Sequence, residues 1–238
     1  MVKSRNSFDD FCRSFELQGL TILGALELQP VHCPVGHDDQ VGCNALLVGN
    51  HGPDMWNIFS ASPEYADSQP DPMNRWTRRV ITNLTADLEC EAFYPFDKPY
   101  WPFQRIAQTA MEIRPSPLGI LVHPQYGLWH ALRGLLIIRD FDEMLNQFSS
   151  LLPNGDKMNH PCDTCTDKPC LTACPVAAFT GEQLNVRSCF AHIDGGEKPD
   201  CLGLGCMARN ACPIGIEHRY CSDQVAFHMR AYRGIPPE

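Results

Sequence analysis

The chain has 238 residues, 44% of them hydrophobic, which is enough to form one full core and an appended small domain. Its formal net charge is −9, from 19 Lys and Arg against 28 Asp and Glu. An acidic chain lacks the basic surface that a phosphate backbone requires, so the composition disfavours a nucleic-acid partner. The most apolar stretch, 117–138, is interrupted by His123, Pro124, His130 and Arg133, so we expect no bilayer-spanning helix and no membrane partner.

The first hundred residues contain two apolar runs and two amphipathic segments. Residues 20–28 and 43–49 are short and bounded by glycine, proline or charge, and we predict a strand for each. Apolar side chains recur every four residues within 73–90, which predicts an amphipathic helix. A second helix is predicted over 103–113. It follows the aromatic and proline-rich segment 93–103, whose rings either cap the core or line a pocket for a flat ligand.

A third region is predicted to form a hairpin-like unit. Strands are predicted over 119–123 and 133–138, with a turn between Pro124 and Gly127. His123 ends the first of these strands, where a single histidine is most often structural. The polar and aromatic residues that follow it, Tyr126, Trp129 and Arg133 among them, favour a binding role instead.

The composition changes after this region. Residues 149–161 contain Pro153, Asn154-Gly155 and Pro161, which are typical of a linker, and a cysteine-dense, loop-rich segment follows. We therefore predict one domain over residues 1–150 and a second over 151–238. The second has too little apolar core to fold without bound metal.

Eight of the thirteen cysteines form one pattern in the second segment. Closely spaced cysteines ending in Cys-Pro resemble the bacterial two-cluster ferredoxin signature, in which the fourth cysteine of each run ligates the other cluster. That crossed arrangement predicts two [4Fe–4S] clusters. One would be held by Cys162, Cys165, Cys170 and Cys212, and the other by Cys174, Cys189, Cys201 and Cys206.

Structural zinc and disulfides are the alternatives for these cysteines. Zinc sites use four ligands and rarely need eight thiols with two Cys-Pro steps. Disulfides require an oxidising compartment, whereas the N-terminal residues MVKSRNSFDDFC include no apolar run of signal-peptide length. We therefore expect a cytoplasmic protein with reduced, metal-binding cysteines.

The segment from Gly119 to Gly134 resembles part of the cobalamin C type cobalamin-processing proteins, in the order His-Pro-x-aromatic-Gly-x-Trp followed by Arg-Gly. The resemblance covers about residues 70–138. It implies a nitroreductase-like α/β sandwich that binds a corrinoid and removes its upper axial ligand. The corrinoid-contacting residues it implies are His123, Pro124, Tyr126, Gly127, Trp129, Arg133 and Gly134.

The cysteine-rich half resembles the cluster domain of epoxyqueuosine reductase and of reductive dehalogenases, which join a corrinoid-binding fold to two four-iron clusters. The Asp-Tyr-His segment that accompanies the proton donor in epoxyqueuosine reductase is not found here. The combined expectation is an α+β protein, with a nitroreductase-like domain followed by a ferredoxin-like domain. It would act as an iron–sulfur oxidoreductase that reduces or processes cobalamin and receives electrons from a flavodoxin, ferredoxin or reductase. The alternatives are an electron carrier without catalytic corrinoid and a corrinoid-dependent reductase of an organic substrate.

Overall fold

The protein is described by a computed structural model that covers residues 8–138, 159–181 and 183–235. These residues form two compact units. The first contains 8–112 and 131–138, and the second contains 113–130 together with the described residues after 158. Most of the predicted linker, 149–158, lies outside the described residues.

The first unit contains a four-stranded sheet. Its strands are β1 (Thr21–Glu27), β2 (Asn44–His51), β3 (Cys90–Phe93) and β6 (His130–Ile138), of which only His130 is grouped with the second unit. The order across the sheet is β1-β2-β6-β3, and β1–β2 and β3–β6 are antiparallel pairs. The interior strands β2 and β6 have long buried runs, because strands covered on both faces are apolar throughout. The two runs predicted near 20–28 and 43–49 are therefore confirmed as strands.

Five helices accompany this sheet: α1 (Phe8–Glu16), α2 (Asp54–Phe59), α3 (Pro63–Ala66), α4 (Pro72–Leu84) and α5 (Phe103–Ala110). The predicted helix over 73–90 is too long, since α4 ends at Leu84. There the Thr85 hydroxyl donates to the Ile81 carbonyl, and residues from Cys90 onward pair with β6 instead. The pairing of a strand with a buried neighbour overrides the helical periodicity that the sequence shows.

The second unit contains a two-stranded sheet, β4 (Arg114–Pro115) with β5 (Leu121–Val122), and short helices. The helices are α6 (Pro161–Thr164), α7 (Pro169–Thr172), α8 (Val186–Asp194), α9 (Cys201–Leu204), α10 (Met207–Asn210) and α11 (Ser222–Arg233). Among the described residues, none of the helices is long and apolar enough to cross a membrane.

The predicted hairpin between 119–123 and 133–138 is wrong. Its turn forms, because His123 and Gly127 exchange two backbone hydrogen bonds of 2.9 Å. However, β5 pairs with β4, and β6 joins the four-stranded sheet of the first unit.

Residues 113–130 belong to the second unit, whereas the sequence prediction includes them in the domain 1–150. Leu118, Val122 and Leu128 form one buried core with Cys170 and Cys212. Apolar contacts with residues far along the chain thus associate this segment with the cysteine-rich unit.

Candidate metal centres and the His123 segment

The eight cysteines of the predicted ligand pattern line two separate cavities within the second unit. The cysteines around the first cavity are Cys162, Cys165, Cys170 and Cys212. The second cavity is lined by Cys174, Cys189, Cys201 and Cys206. The remaining walls are mainly proline and apolar side chains, including Leu128 in the first cavity and Met229 in the second.

The local structure of the first cavity is fixed around His160 and α6. The Nδ1 atom of His160 accepts a hydrogen bond from the Cys162 backbone N–H, and its Nε2 bonds the Arg114 carbonyl at 3.0 Å. Asp163, on the same helix, forms a 2.6 Å ion pair with Arg114. This buried histidine therefore connects the first cysteine of the pattern to strand β4.

Sulfur atoms of the second cavity accept hydrogen bonds from nearby donors. The Ala178 N–H donates to Cys174 Sγ at 3.3 Å. Burial raises the pKa of Cys206, while the nearby backbone N–H groups of Arg209 and Ala208 lower it. N–H···S bonds of this kind stabilise thiolate, which is the form that binds iron.

The pKa values of several of these thiols are raised. Burial, with repulsion from Cys212, Cys170 and Cys165, raises the pKa of Cys162 to about 11. The pKa of Cys189 is raised by burial and by repulsion from the other three cysteines of its own cavity. The pKa values of Cys162 and Cys189 are thus both influenced by the other members of their own sets. Metal binding must displace the protons that these pKa values retain at neutral pH.

The donor sets fit two four-iron clusters, since each cavity offers four thiols in otherwise apolar surroundings and the two sets share no cysteine. Among the described residues, no three Cys, His, Asp or Glu side chains stand close enough together to hold a single metal ion. We therefore group the eight cysteines by the cavity that each one lines.

His123 and Tyr126 lie side by side at the turn that follows β5. Their rings stack with centroids 4.3 Å apart and an interplanar angle of 15°. His123 Nδ1 accepts hydrogen bonds from the backbone N–H groups of Gln125 and Tyr126, which hold the turn. His218 meets the other side of Tyr126 edge-on, at 5.0 Å. His123, Pro124 and Tyr126 are all partly exposed, so a ligand can reach them.

Two other residues of the motif are packed within the second unit. Gly127 has a φ of +56°, and a Cβ there would lie 1.9 Å from the Ile214 carbonyl oxygen. Trp129 is 1% exposed and contacts the Arg209 guanidinium, which lies 4.5 Å from its ring centroid. These two residues connect the motif to the segment that contains Cys206 and Cys212.

Arg133 and Gly134 belong to the first unit, on β6. The Nε of Arg133 donates to Asn50 Oδ1 on β2 at 2.8 Å. A Cβ on Gly134 would lie 3.0 Å from Ile81 Cδ1 on α4. Both have contacts with neighbouring elements of the sheet and its covering helix.

Sequence reasoning missed the residues that support the cysteine sets. His160, Arg209 and Tyr220 lie close to the cysteine pattern in the chain, yet no spacing rule selects them. His160 had one available signal, since Pro161 favours the first position of a helix and so marks the residue before it as an N-cap. The others are recognised only through contacts between distant segments.

The fold and the cysteine sets define a mixed α+β protein with a compact cysteine-rich unit. No protein-family model and no curated protein matches the sequence. The structure is similar to a C. elegans B12-trafficking protein CblC, a human MMACHC homologue, at 13% identity and a TM-score of 0.48, over 93% of this chain and 91% of that chain. It is also similar to epoxyqueuosine reductase, solved with an epoxyqueuosine-modified tRNA-Tyr stem loop, at 14% identity and a TM-score of 0.46, over 90% of this chain and 66% of that one.

Proposed function

We propose that the chain is an iron–sulfur oxidoreductase that holds two [4Fe–4S] clusters and reduces or processes a corrinoid. The main supporting observation is that the eight cysteines line two cavities, four thiols in each. It supports the crossed ligand assignment, because Cys212 lines the same cavity as Cys162, Cys165 and Cys170. Cys174 lines the other cavity, together with Cys189, Cys201 and Cys206. When bound, such clusters supply one-electron transfer at a potential set by charge, hydrogen bonds to sulfur and exposure.

The protein's own residues prepare these sites for metal. The Ala178 N–H donates to Cys174, and the walls of the second cavity are mainly apolar. The small helices of the second unit are too short to be stable alone, so the clusters would contribute to its folding. On this proposal the second unit is the ferredoxin-like domain, and the first is the nitroreductase-like domain.

The corrinoid part of the proposal is supported by the sequence resemblance around His123. The accessible surface of that segment includes the stacked His123 and Tyr126 rings and Pro124, beside the exposed Gln125. Aromatic faces of this kind can contact a large, flat, largely apolar ring. The buried Trp129 and Gly127 would support that surface from beneath.

Metal analysis and one optical titration test the proposal. Protein purified without oxygen should contain about eight irons and eight sulfides per chain, and hydroxocobalamin added to it should acquire a base-off spectrum. A two-cluster ferredoxin under the same conditions is the control for non-specific binding. Zinc in place of iron would contradict the whole proposal.

The same titration separates the alternatives. Eight irons without a spectral change would indicate an electron carrier that binds no corrinoid. Binding of cobalamin that is retained unchanged through reduction would favour a corrinoid-dependent reductase of an organic substrate. Release of cobalamin that has lost its upper ligand would support the processing function.

A further inference from the structure

Arg209 lies between the two cysteine sets. It is on the four-residue helix α10, which begins directly after Cys206 of the second cavity. Cys212 of the first cavity lies three residues after Arg209 in the chain. Its guanidinium donates to the carbonyl of Leu128, which itself lines the first cavity. A positive charge is therefore built into the short segment that connects the two sites.

Two aromatic rings hold this guanidinium in place. Its central carbon lies 4.5 Å from the Trp129 ring centroid and 4.9 Å from that of Tyr220. The two rings meet edge to face, with centroids 5.5 Å apart, and both residues are buried. Cation–π contacts of this kind fix both the position and the charge of an arginine.

Among the residues that the structure describes, the charge of Arg209 has no carboxylate partner. Within the described part of the chain, no Asp or Glu oxygen lies within 4.0 Å of the Arg209 guanidinium, and its buried Nε has no hydrogen-bond acceptor. By contrast, Arg233 of the same unit forms two hydrogen bonds, of 2.6 and 2.7 Å, with Asp194. A partly buried cation without a counter-ion is costly unless an anion lies nearby.

The cysteine sets would supply that anion once they bind iron. Four thiolates around a [4Fe–4S] core give the site a net negative charge, which increases when it accepts an electron.

We propose that Arg209 is a fixed counter-charge that raises the reduction potential of the cluster held by Cys162, Cys165, Cys170 and Cys212, the set whose cavity is lined by Leu128. This inference rests on the proposed function, because it requires the clusters. A nearby cation stabilises the reduced, more negative state more than the oxidised one. Trp129 and Tyr220 are positioning residues that act by holding the guanidinium.

The test is a redox titration with dithionite, followed by paramagnetic resonance, on wild-type protein and on R209Q, R209M and R209K. R209Q and R209M should disfavour reduction of this cluster at least tenfold, a fall of about 59 mV for a one-electron couple. R209K should remain closer to wild type, because it keeps the charge. R233Q is the matched control. It also removes an arginine that lies over an aromatic ring, Phe190, but Arg233 is already paired with the Asp194 carboxylate. Its shift should be less than threefold.

Iron content separates the possible failures. Chains that contain no iron would overturn the proposed function, and this inference with it. Eight irons with unchanged potentials in R209Q or R209M would overturn only the role of Arg209. Loss of iron from both neutral variants, with full iron in R209K, would indicate a role in assembly and would also overturn the proposal.

Discussion

Gly127 is the position where a single added methyl group should disturb the first proposed metal site without changing a cysteine. A Cβ at this position would lie 1.9 Å from the Ile214 carbonyl oxygen, where real contacts are essentially never below 3.0 Å. The carbonyl would have to move by about 1 Å. Because Ile214 follows Cys212-Pro213 and lines the same cavity as Cys212, that movement should displace a ligand of the first set.

The expected cost has two parts. The left-handed φ of +56° costs a non-glycine residue about 1–2 kcal/mol, and the steric overlap adds about 1–3 kcal/mol. Gly119 provides a matched control, since its φ is +76° but, among the described residues, nothing beyond its chain neighbours lies within 4 Å of where a Cβ would stand. G119A should therefore show only the backbone part, about 1–2 kcal/mol.

The assay combines denaturant unfolding with iron analysis on anaerobic protein. G127A should be less stable than G119A by about 1–3 kcal/mol and should lose about half of its iron, whereas G119A should keep all of it. Equal stability and equal iron content in the two variants would refute the reasoning. Such a result would mean that the Ile214 segment yields without disturbing Cys212.

Three further predictions concern separate parts of the molecule. C162A and C206A should each abolish a different paramagnetic signal, because the two cysteines line different cavities, and loss of the same signal in both would contradict the partition. H123N, whose amide can still accept the backbone hydrogen bonds of the turn, should weaken hydroxocobalamin binding about two- to tenfold with little change in melting temperature. Unchanged affinity with a lower melting temperature would indicate a purely structural histidine. The hydrogen bond and charge of Arg79 lower the pKa of Glu64 to about 2, so this carboxylate should stabilise the fold by about 1–2 kcal/mol above pH 4.5, allowing for the exposed arginine. That contribution should disappear as the pH falls towards 2, and unfolding curves of wild type and E64Q should converge there.

Local sequence signals were sufficient for several elements. The apolar runs that became β1 and β2 follow from composition, and the start of α4 follows from Pro72 and the spacing of its apolar residues. The partition of the cysteines into two ligand sets was predicted from the order of ligands in the two-cluster pattern and stays a prediction, while each predicted set lines one cavity. The helix α1, with Phe8, Phe11 and Phe15 buried, could have been found from the same periodicity.

Only the tertiary structure showed which segments of the chain share a core. The motif from His123 to Gly134 is continuous in sequence, yet Trp129 packs with Arg209 while Arg133 bonds Asn50 in the other unit. The guanidinium of Arg209 has its two aromatic neighbours at positions 129 and 220, and no local spacing rule relates residues so far apart. Pairing between distant strands and packing between distant side chains depend on the free energy of the whole chain, so a local pattern cannot specify them.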